Sequence, residues 1–189
     1  YGEGSAVMQD RSHAFAMKSQ IWRLDPRPNL PSITGAVGHG FNLSEASNTP
    51  VMLEVRIRSC HVHGSFVAAD NRPPTLSVRD ALASPRRDTA RVVLPPASYV
   101  HEKEKYEKRL PAAISYIVEN GLNEFFGPDD AKVGIVLQGG MYNGVIRALQ
   151  RLGLADVYGE SAVPLYVLTV TYPLVPDQFL SCCEGKEHL

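Results

Sequence analysis

The chain has 189 residues, of which 44% are hydrophobic and 21% are charged, and its formal net charge at pH 7 is −1. This composition is ordinary for a globular protein, and the length allows one α/β domain or two small ones. The balanced charge gives no electrostatic reason to expect nucleic acid or an anionic membrane as a partner, and no apolar run reaches the roughly 18 residues of a membrane-spanning helix.

Cysteine usage and the first residues bear on the cellular compartment. Cysteine occurs at Cys60, Cys182 and Cys183. Because the number is odd, two are adjacent and no C-x-x-C pair exists, we expect free thiols rather than a disulfide, a zinc site or an iron–sulfur site. The chain opens without the basic and apolar segments of a secretion signal. We therefore predict a cytoplasmic protein.

The first zone, residues 1–64, is predicted to contain a βαβ unit. After a glycine-rich loop, apolar spacing predicts a helix, a strand, a second helix capped by Ser32 and a second strand, over residues 6–18, 20–24, 32–44 and 51–58. The last strand alternates apolar and polar residues, which is the period of a strand with one face on a core. Strand, helix and strand within about 40 residues favour a parallel pair.

The second zone, residues 65–96, shows little pattern. It contains the proline pairs Pro73-Pro74 and Pro95-Pro96 and several arginines. Paired prolines favour extended chain, and so long a stretch without clear elements is unusual inside one domain. We predict an inter-domain linker that wraps a surface, with its arginines in solvent rather than on a phosphate.

The third zone, residues 97–189, is predicted to form a second α/β domain. Two helices open it, with a cap at Ser98, a kink or new start at Pro111 and a stop at Gly121. The continuous apolar runs at 132–138 and 165–170 indicate strands covered on both faces, as in a parallel sheet. The helix between them, residues 141–152, is expected to turn four side chains inward: Val145, Ile146, Leu149 and Leu152.

A glycine turn, Gly139-Gly140 with Gly144 beyond it, joins the first of these strands to its helix. Strand, glycine turn and helix is the arrangement of many phosphate sites, because a helix N-terminus offers free N–H groups. Neither G-x-G-x-x-G nor G-x-x-x-x-G-K-[ST] is present. A tight turn that requires glycine is therefore favoured over a phosphate site.

Two other groups are candidate sites. His61 and His63 follow the alternating strand and share one face of an extended chain, which would suit a metal, but no third ligand is evident. Surface or pocket-lining histidines are the favoured interpretation. Glu3, between Gly2 and Gly4, sits in a loop whose glycines would let a ligand approach the backbone closely.

Several segments, taken in order, resemble the 2-oxoacid:ferredoxin oxidoreductases of the indolepyruvate type. They are residues 2–11 (Gly-Glu-Gly-Ser…Gln-Asp-Arg), 40–51 (Ser-Glu…Thr-Pro-Val), 56–64 (Arg-x-Arg-Ser-Cys-His-x-His-Gly), 132–140 (Lys-Val-Gly-Ile-Val-x-x-Gly-Gly) and 172–176 (Tyr-Pro-Leu-Val-Pro). The resemblance implies an α/β fold: the C-terminal part of a pyrimidine-binding, thiamine-diphosphate-type domain over 1–64, and a transketolase-C-terminal-like parallel domain over 97–189, incomplete at its end.

The same resemblance implies a role. Family members decarboxylate an aryl-2-oxoacid oxidatively on thiamine diphosphate with Mg²⁺, pass electrons through [4Fe–4S] clusters to ferredoxin and form an acyl-CoA. The family's Gly-Asp-Gly…Asn motif and cluster cysteines are absent, so we expect an internal, inactive and structural piece that binds none of these groups alone. No catalytic residue is transferred. One stretch is expected beside the active-site cleft: Gly2, Glu3, Gly4 and Ser5.

Partners and alternatives follow from these interpretations. The expected partners are the remaining domains of the parent enzyme, with ferredoxin and CoA for the whole. A free-standing phosphate- or nucleotide-binding module using Gly139-Gly140 is one alternative. An assembly scaffold is the other, in which an unfinished sheet edge at the C-terminus would favour a homodimer.

Overall fold

The computed structural model describes residues 11–71, 73, 77–85, 88–89 and 92–189. Its helices are α1 (Ser12–Ser19), α2 (Leu30–Ser47), α3 (Ile57–Cys60), α4 (Val78–Ala83), α5 (Ala97–Glu104), α6 (Leu110–Glu119), α7 (Tyr142–Arg151) and α8 (Pro176–Cys183). Its strands are β1 (Trp22–Leu24), β2 (Val51–Leu53), β3 (Glu124–Phe126), β4 (Ile135–Gln138), β5 (Leu165–Leu168) and β6 (Val170–Tyr172). A π-helical turn, Lys105–Arg109, joins α5 to α6, and a 3₁₀ turn, Gly139–Met141, leads into α7.

The first sheet has the strand order β2-β1-β6. β1 and β2 run parallel, with Trp22 opposite Val51 and Leu24 opposite Leu53. The helix α2 connects them, so the predicted βαβ unit is present. β6, from the third zone of the sequence, adds to the other side of β1 in the antiparallel direction.

The second sheet has the order β3-β5-β4. β4 and β5 are parallel, whereas β3 pairs with β5 in the antiparallel direction. At the outer side of β4, a single parallel bridge joins Val133 to His188 near the end of the chain. β3 was not anticipated from the sequence, because three residues are too short for a period to be recognised.

The expectation of a parallel sheet is correct for two of the four strand pairs described, so the α/β class holds in a mixed form. The reason lies in the 165–172 segment. It contributes β5 to the second sheet and continues, after Thr169, as β6 in the first. Because β6 continues directly from β5, its direction is fixed by the second sheet. That direction is opposite to the direction of β1, so β6 and β1 pair antiparallel.

Two groups of buried side chains form the core. The first lies between the first sheet, α2 and α6, and contains Trp22, Leu24, Leu43, Ala113, Ile117, Leu122, Val170 and Val175. The second lies between the second sheet and α7, and contains Leu137, Ile146, Leu149, Leu165 and Val167. The first group therefore combines side chains from both ends of the chain. The predicted division into domains at 65–96 stays a prediction.

Several boundaries differ from those predicted. The strand expected over 51–58 ends at Leu53, and residues 57–60 form the helical turn α3 instead. The helix α2 is capped by Asn29, whose side chain accepts from the Ser32 amide at 2.9 Å, so Ser32 lies in the first turn and is not the cap. Pro31 is tolerated there because the first helical turn needs no N–H partner.

Among the described residues in the middle of the chain, one helix was not predicted. The short helix α4 begins after Ser77, whose hydroxyl accepts from the Asp80 amide at 3.1 Å. Ser98 lies inside α5, which starts at Ala97, rather than at its cap. None of the helices within the described ranges combines the length and apolar character that crossing a bilayer requires.

Candidate functional site

The carboxyl ends of β1 and β2 bring four charged side chains together. Arg23 is the middle residue of β1 and Asp25 directly follows that strand, while Glu54 and Arg56 follow β2. Because β1 and β2 are parallel, both ends meet at one edge of the sheet, the place where α/β proteins most often form sites. We call these four residues the charged cluster.

Arg23 is the centre of this cluster and is only 2% exposed. Its Nη1 donates to Oγ1 of Thr171 on β6 at 2.6 Å, and its Nη2 forms an ion pair with Glu54. Its Nε has no hydrogen-bond partner among the described residues. Burial, with a further contribution from the positive charge of Arg56, lowers the pKa of Arg23.

Asp25 is fully buried and is neutralised by Arg56. Nη2 of Arg56 lies 2.7 Å from Oδ2 of Asp25, and it also donates to Oε1 of Gln138 at the end of β4. The backbone amide of Asp25 donates to the carbonyl of Thr169 at 2.7 Å. Asp25 and Arg56 thus connect the ends of the two sheets.

The start of α1 closes the cluster from one side. The Ser12 hydroxyl donates to Oε2 of Glu54 at 3.0 Å. Nδ1 of His13 is buried and lacks a partner among the described residues. Burial first, and then the charge of Arg23, lower the pKa of His13 below its usual value. The neutral imidazole is therefore the stable form in this position.

The loop after β1 is held by a second arginine. Arg27 donates to both carboxylate oxygens of Glu124 at 2.6 Å each, a bidentate pair of good geometry. Its guanidinium also lies 5.1 Å from the ring centre of Phe126 and 5.0 Å from that of Tyr142. These contacts fix the loop against β3 and the start of α7.

The chemistry of the charged cluster is positioning rather than reaction. Arg23 pairs with Glu54 and Arg56 with Asp25, so the two positive and two negative charges balance and none is left for an anionic ligand. Buried ion pairs of this kind orient backbone loops, and loss of one partner would leave the other charge buried and uncompensated. We identify no nucleophile or general base among them.

The candidate site residues from the sequence fall in different places. Gly2, Glu3, Gly4 and Ser5 lie outside the described residues, so their expected position beside a cleft stays a prediction. His61 and His63 are exposed. In the described parts of the chain, no three of the His, Cys, Asp and Glu side chains are grouped as a metal site.

Gly139 and Gly140 have a steric reason to be glycine. A Cβ atom on Gly139 would collide with the carbonyl oxygen of Asp25, and one on Gly140 would collide with the Asp25 carboxylate and the Arg56 side chain. The turn therefore packs directly against the charged cluster. Its glycines are explained without a bound phosphate, in line with the favoured interpretation of the sequence.

Sequence reasoning did not single out the charged cluster. Glu54 and Arg56 were placed on one face of a long strand, and Arg23 was counted only within a short one. The sequence nevertheless contained a pattern from which the cluster could have been predicted. Charged residues lie within or just after each strand of the βαβ unit. In a parallel pair those charges must meet.

No family model matches the chain. Indolepyruvate oxidoreductase subunit IorA from Methanothermobacter marburgensis is 28% identical to it over 181 residues, which cover 94% of this chain and 27% of the relative. The protein of the same name from Methanothermobacter thermautotrophicus is 31% identical over 178 residues, which cover 92% and 26%. Nearly all of this chain is thus similar to about a quarter of subunit IorA. The resemblance to the indolepyruvate type of oxidoreductase is thereby confirmed.

The similarity to IorA includes nearly all of this chain but only about a quarter of the relatives' length. It extends over both sheets and the segment between them, so the charged cluster lies in the region that the IorA subunits share with this chain by alignment. The relatives' name describes a subunit and an oxidoreductase of indolepyruvate.

Proposed function

We propose that this chain is part of an enzyme that oxidises indolepyruvate or a related aryl-2-oxoacid. The observation that carries the proposal is the extent of the similarity: 92% to 94% of the chain aligns with a subunit named for that activity. The partners would be the remaining domains and other subunits of the same enzyme, in the cytoplasm. The reaction would be an oxidative decarboxylation to an acyl-CoA, with electrons passing to ferredoxin.

Thiamine diphosphate would supply the carbanion chemistry of the decarboxylation when bound in the parent enzyme. The described residues do not fit Mg²⁺ or a [4Fe–4S] cluster, because their carboxylates, cysteines and histidines form no group of three or more. Cys182 is buried, and burial raises the pKa of its thiol, which disfavours the thiolate that a cluster needs. We infer that other parts of the enzyme hold these groups.

The contribution of this chain would be structural. The charged cluster fixes the loops that follow β1 and β2, and Arg56 connects them to the end of β4. Carboxyl ends of parallel strands form the crevices in which α/β proteins bind ligands. The charged cluster, whose positive and negative charges balance, would fix the wall of a crevice at that edge. The reacting groups in the crevice would come from other parts of the enzyme.

The test uses the full protein produced together with its companion subunits. We expect indolepyruvate to reduce methyl viologen in a reaction that depends on thiamine diphosphate, Mg²⁺ and CoA, and aliphatic 2-oxoacids to react more slowly. If the complex holds these cofactors but reduces methyl viologen with none of the aryl-2-oxoacids tested, the proposal is contradicted.

The structural role has a separate test. In titration calorimetry, the 189-residue chain alone is expected to show no heat of binding with thiamine diphosphate and Mg²⁺. Stoichiometric, saturable binding by this chain would show that it holds a complete cofactor site, and the role proposed for it would then be wrong even if the parent enzyme has the expected activity.

A further inference from the structure

A groove of about 1060 Å³ runs along the outer side of α7. Its floor is formed by a stripe of small and apolar residues: Met141, Gly144, Val145, Ala148 and Leu152. These positions recur at intervals of three and four, so they lie on one face of the helix. The neighbouring face, with Ile146 and Leu149, packs on the second sheet, and Val145 at the border between the two faces also contacts that core.

Except for Val145, which is half-buried against the second core, the stripe is open to solvent. Met141 is 51% exposed and Leu152 is 70% exposed. A Cβ atom on Gly144 would meet nothing within 4 Å, so no contact within the described chain requires glycine there. Glycine in the middle of a helix lowers its stability relative to alanine. Gly144 and Ala148 together leave a shallow path along which a second backbone can approach α7 closely.

The walls of the groove carry one sign of charge. Arg56, Arg147 and Arg151 line it, and no Asp or Glu does. Arg56 is paired with Asp25, but Arg147 and Arg151 are exposed and form no ion pair with any described residue. The whole chain has a net charge of −1, so this local excess of positive charge is not a property of the surface in general. It is complementary to carboxylates.

We propose that this groove binds an amphipathic helix of another polypeptide, with apolar side chains on the Gly144–Ala148 path and Asp or Glu side chains on Arg147 and Arg151. α7 has 10 residues, about 15 Å of helix, so the contact would extend over about three turns of the incoming helix. Apolar anchors at helical spacing in a groove are a general mode of helix recognition. The inference depends on α7 and the residues that flank it, and it goes beyond the proposed enzymatic role.

The test is a selection from a phage library of helical peptides of about 18 residues, with the 189-residue chain as the immobilised target. We expect the enriched peptides to combine apolar residues at intervals of three and four with flanking acidic residues. Peptide binding should weaken at least about tenfold in the double variant Arg147→Glu/Arg151→Glu. It should also weaken as the salt concentration is raised. Ala148→Trp, which fills the path, should abolish it.

The matched control is Lys18→Glu/Lys108→Glu, which makes the same change in charge at exposed positions away from the groove. It should leave peptide binding within about twofold of the unchanged chain. Circular dichroism of each variant checks that the fold is retained. Failure to enrich any peptide, enrichment without an acidic bias, or equal binding to the Arg147→Glu/Arg151→Glu variant would each overturn the proposal.

Discussion

At the scale of single residues, burying the charged cluster costs desolvation free energy, and its ion pairs fix the positions of the loops that carry them. Arg23 and Asp25 are removed from water almost completely, and each has an ion-pair partner, Glu54 for Arg23 and Arg56 for Asp25. The pairs therefore specify where the loops lie more than they stabilise the fold. Arg56 is the residue on which most depends, because it contacts Asp25 and Gln138 and lies against Gly140.

Replacing Arg56 by glutamine should lower the free energy of unfolding by about 3 kcal/mol, because the carboxylate of Asp25 stays buried without its counter-charge. Urea unfolding followed by the fluorescence of Trp22, the single tryptophan, measures this. The control is Lys132→Gln, which breaks an exposed pair with Glu187 and should cost less than about 1 kcal/mol. Equal effects of the two substitutions would show that the Arg56 pair is not buried as described.

The glycine turn offers a second comparison at this scale. Gly139→Ala should destabilise the protein by about 1–3 kcal/mol, because the new methyl group collides with backbone at Asp25 and the turn must move. Gly144→Ala should instead stabilise it by about 0.5–1 kcal/mol, because the added group meets nothing and helix propensity improves. Thermal unfolding of both variants tests the prediction, and a stabilising Gly139→Ala would refute it.

His13 predicts a dependence of stability on pH. Its pKa in the folded protein lies below the usual value of 6.5. As the pH falls through that value, the unfolded chain binds the proton first, so the free energy of unfolding decreases towards the lower, folded pKa. His13→Gln should reduce the loss of stability between pH 7.5 and pH 5.5, measured by urea unfolding. A His13→Gln variant that loses as much stability between these pH values as the unchanged chain would contradict the prediction.

At the scale of elements, α7 shows what a helical period can and cannot decide. The period correctly predicted a helix with an apolar face, but it placed Leu149 and Leu152 together on the inner side. In the structure Leu149 is 5% exposed and Leu152 is 70% exposed. Apolar residues occupy two faces of α7, and the sequence alone does not say which face meets the sheet.

Two leucine substitutions in α7 and just after it make this distinction measurable. Leu149→Ala should cost about 2–4 kcal/mol, because it leaves a cavity between the helix and β5. Leu152→Ala, at the exposed end of the groove, should change the free energy of unfolding by less than about 0.5 kcal/mol. Chemical denaturation compares them, and a large effect of Leu152→Ala would place that side chain in the core as the sequence suggested.

At the scale of the whole molecule, the segment 165–172 connects the two sheets. β5 and β6 are separated only by Thr169, and β6 pairs with β1 from the other end of the sequence. The core around Trp22 also includes Ile117 and Val170. We therefore expect the sheets to unfold together rather than as independent domains.

The prediction is that Leu149→Ala, in the second core, lowers the unfolding midpoint reported by Trp22 in the first. Far-ultraviolet circular dichroism and Trp22 fluorescence should give coincident transitions in the same samples. A Trp22 transition that Leu149→Ala leaves unchanged would instead support the division predicted from the sequence, with residues 97–189 folding as a domain of their own.

By itself the sequence indicated the local elements and the resemblance to the indolepyruvate type of oxidoreductase. Periodicity and turn residues located the βαβ unit, the strand before Gly139 and the helix after it, because these depend on neighbours a few positions away. Only the tertiary structure decided the mixed direction of the strands, the face of α7 that is buried, and the charged cluster. Arg23 meets Thr171 across 148 positions of sequence, and no local pattern records a contact between residues so far apart.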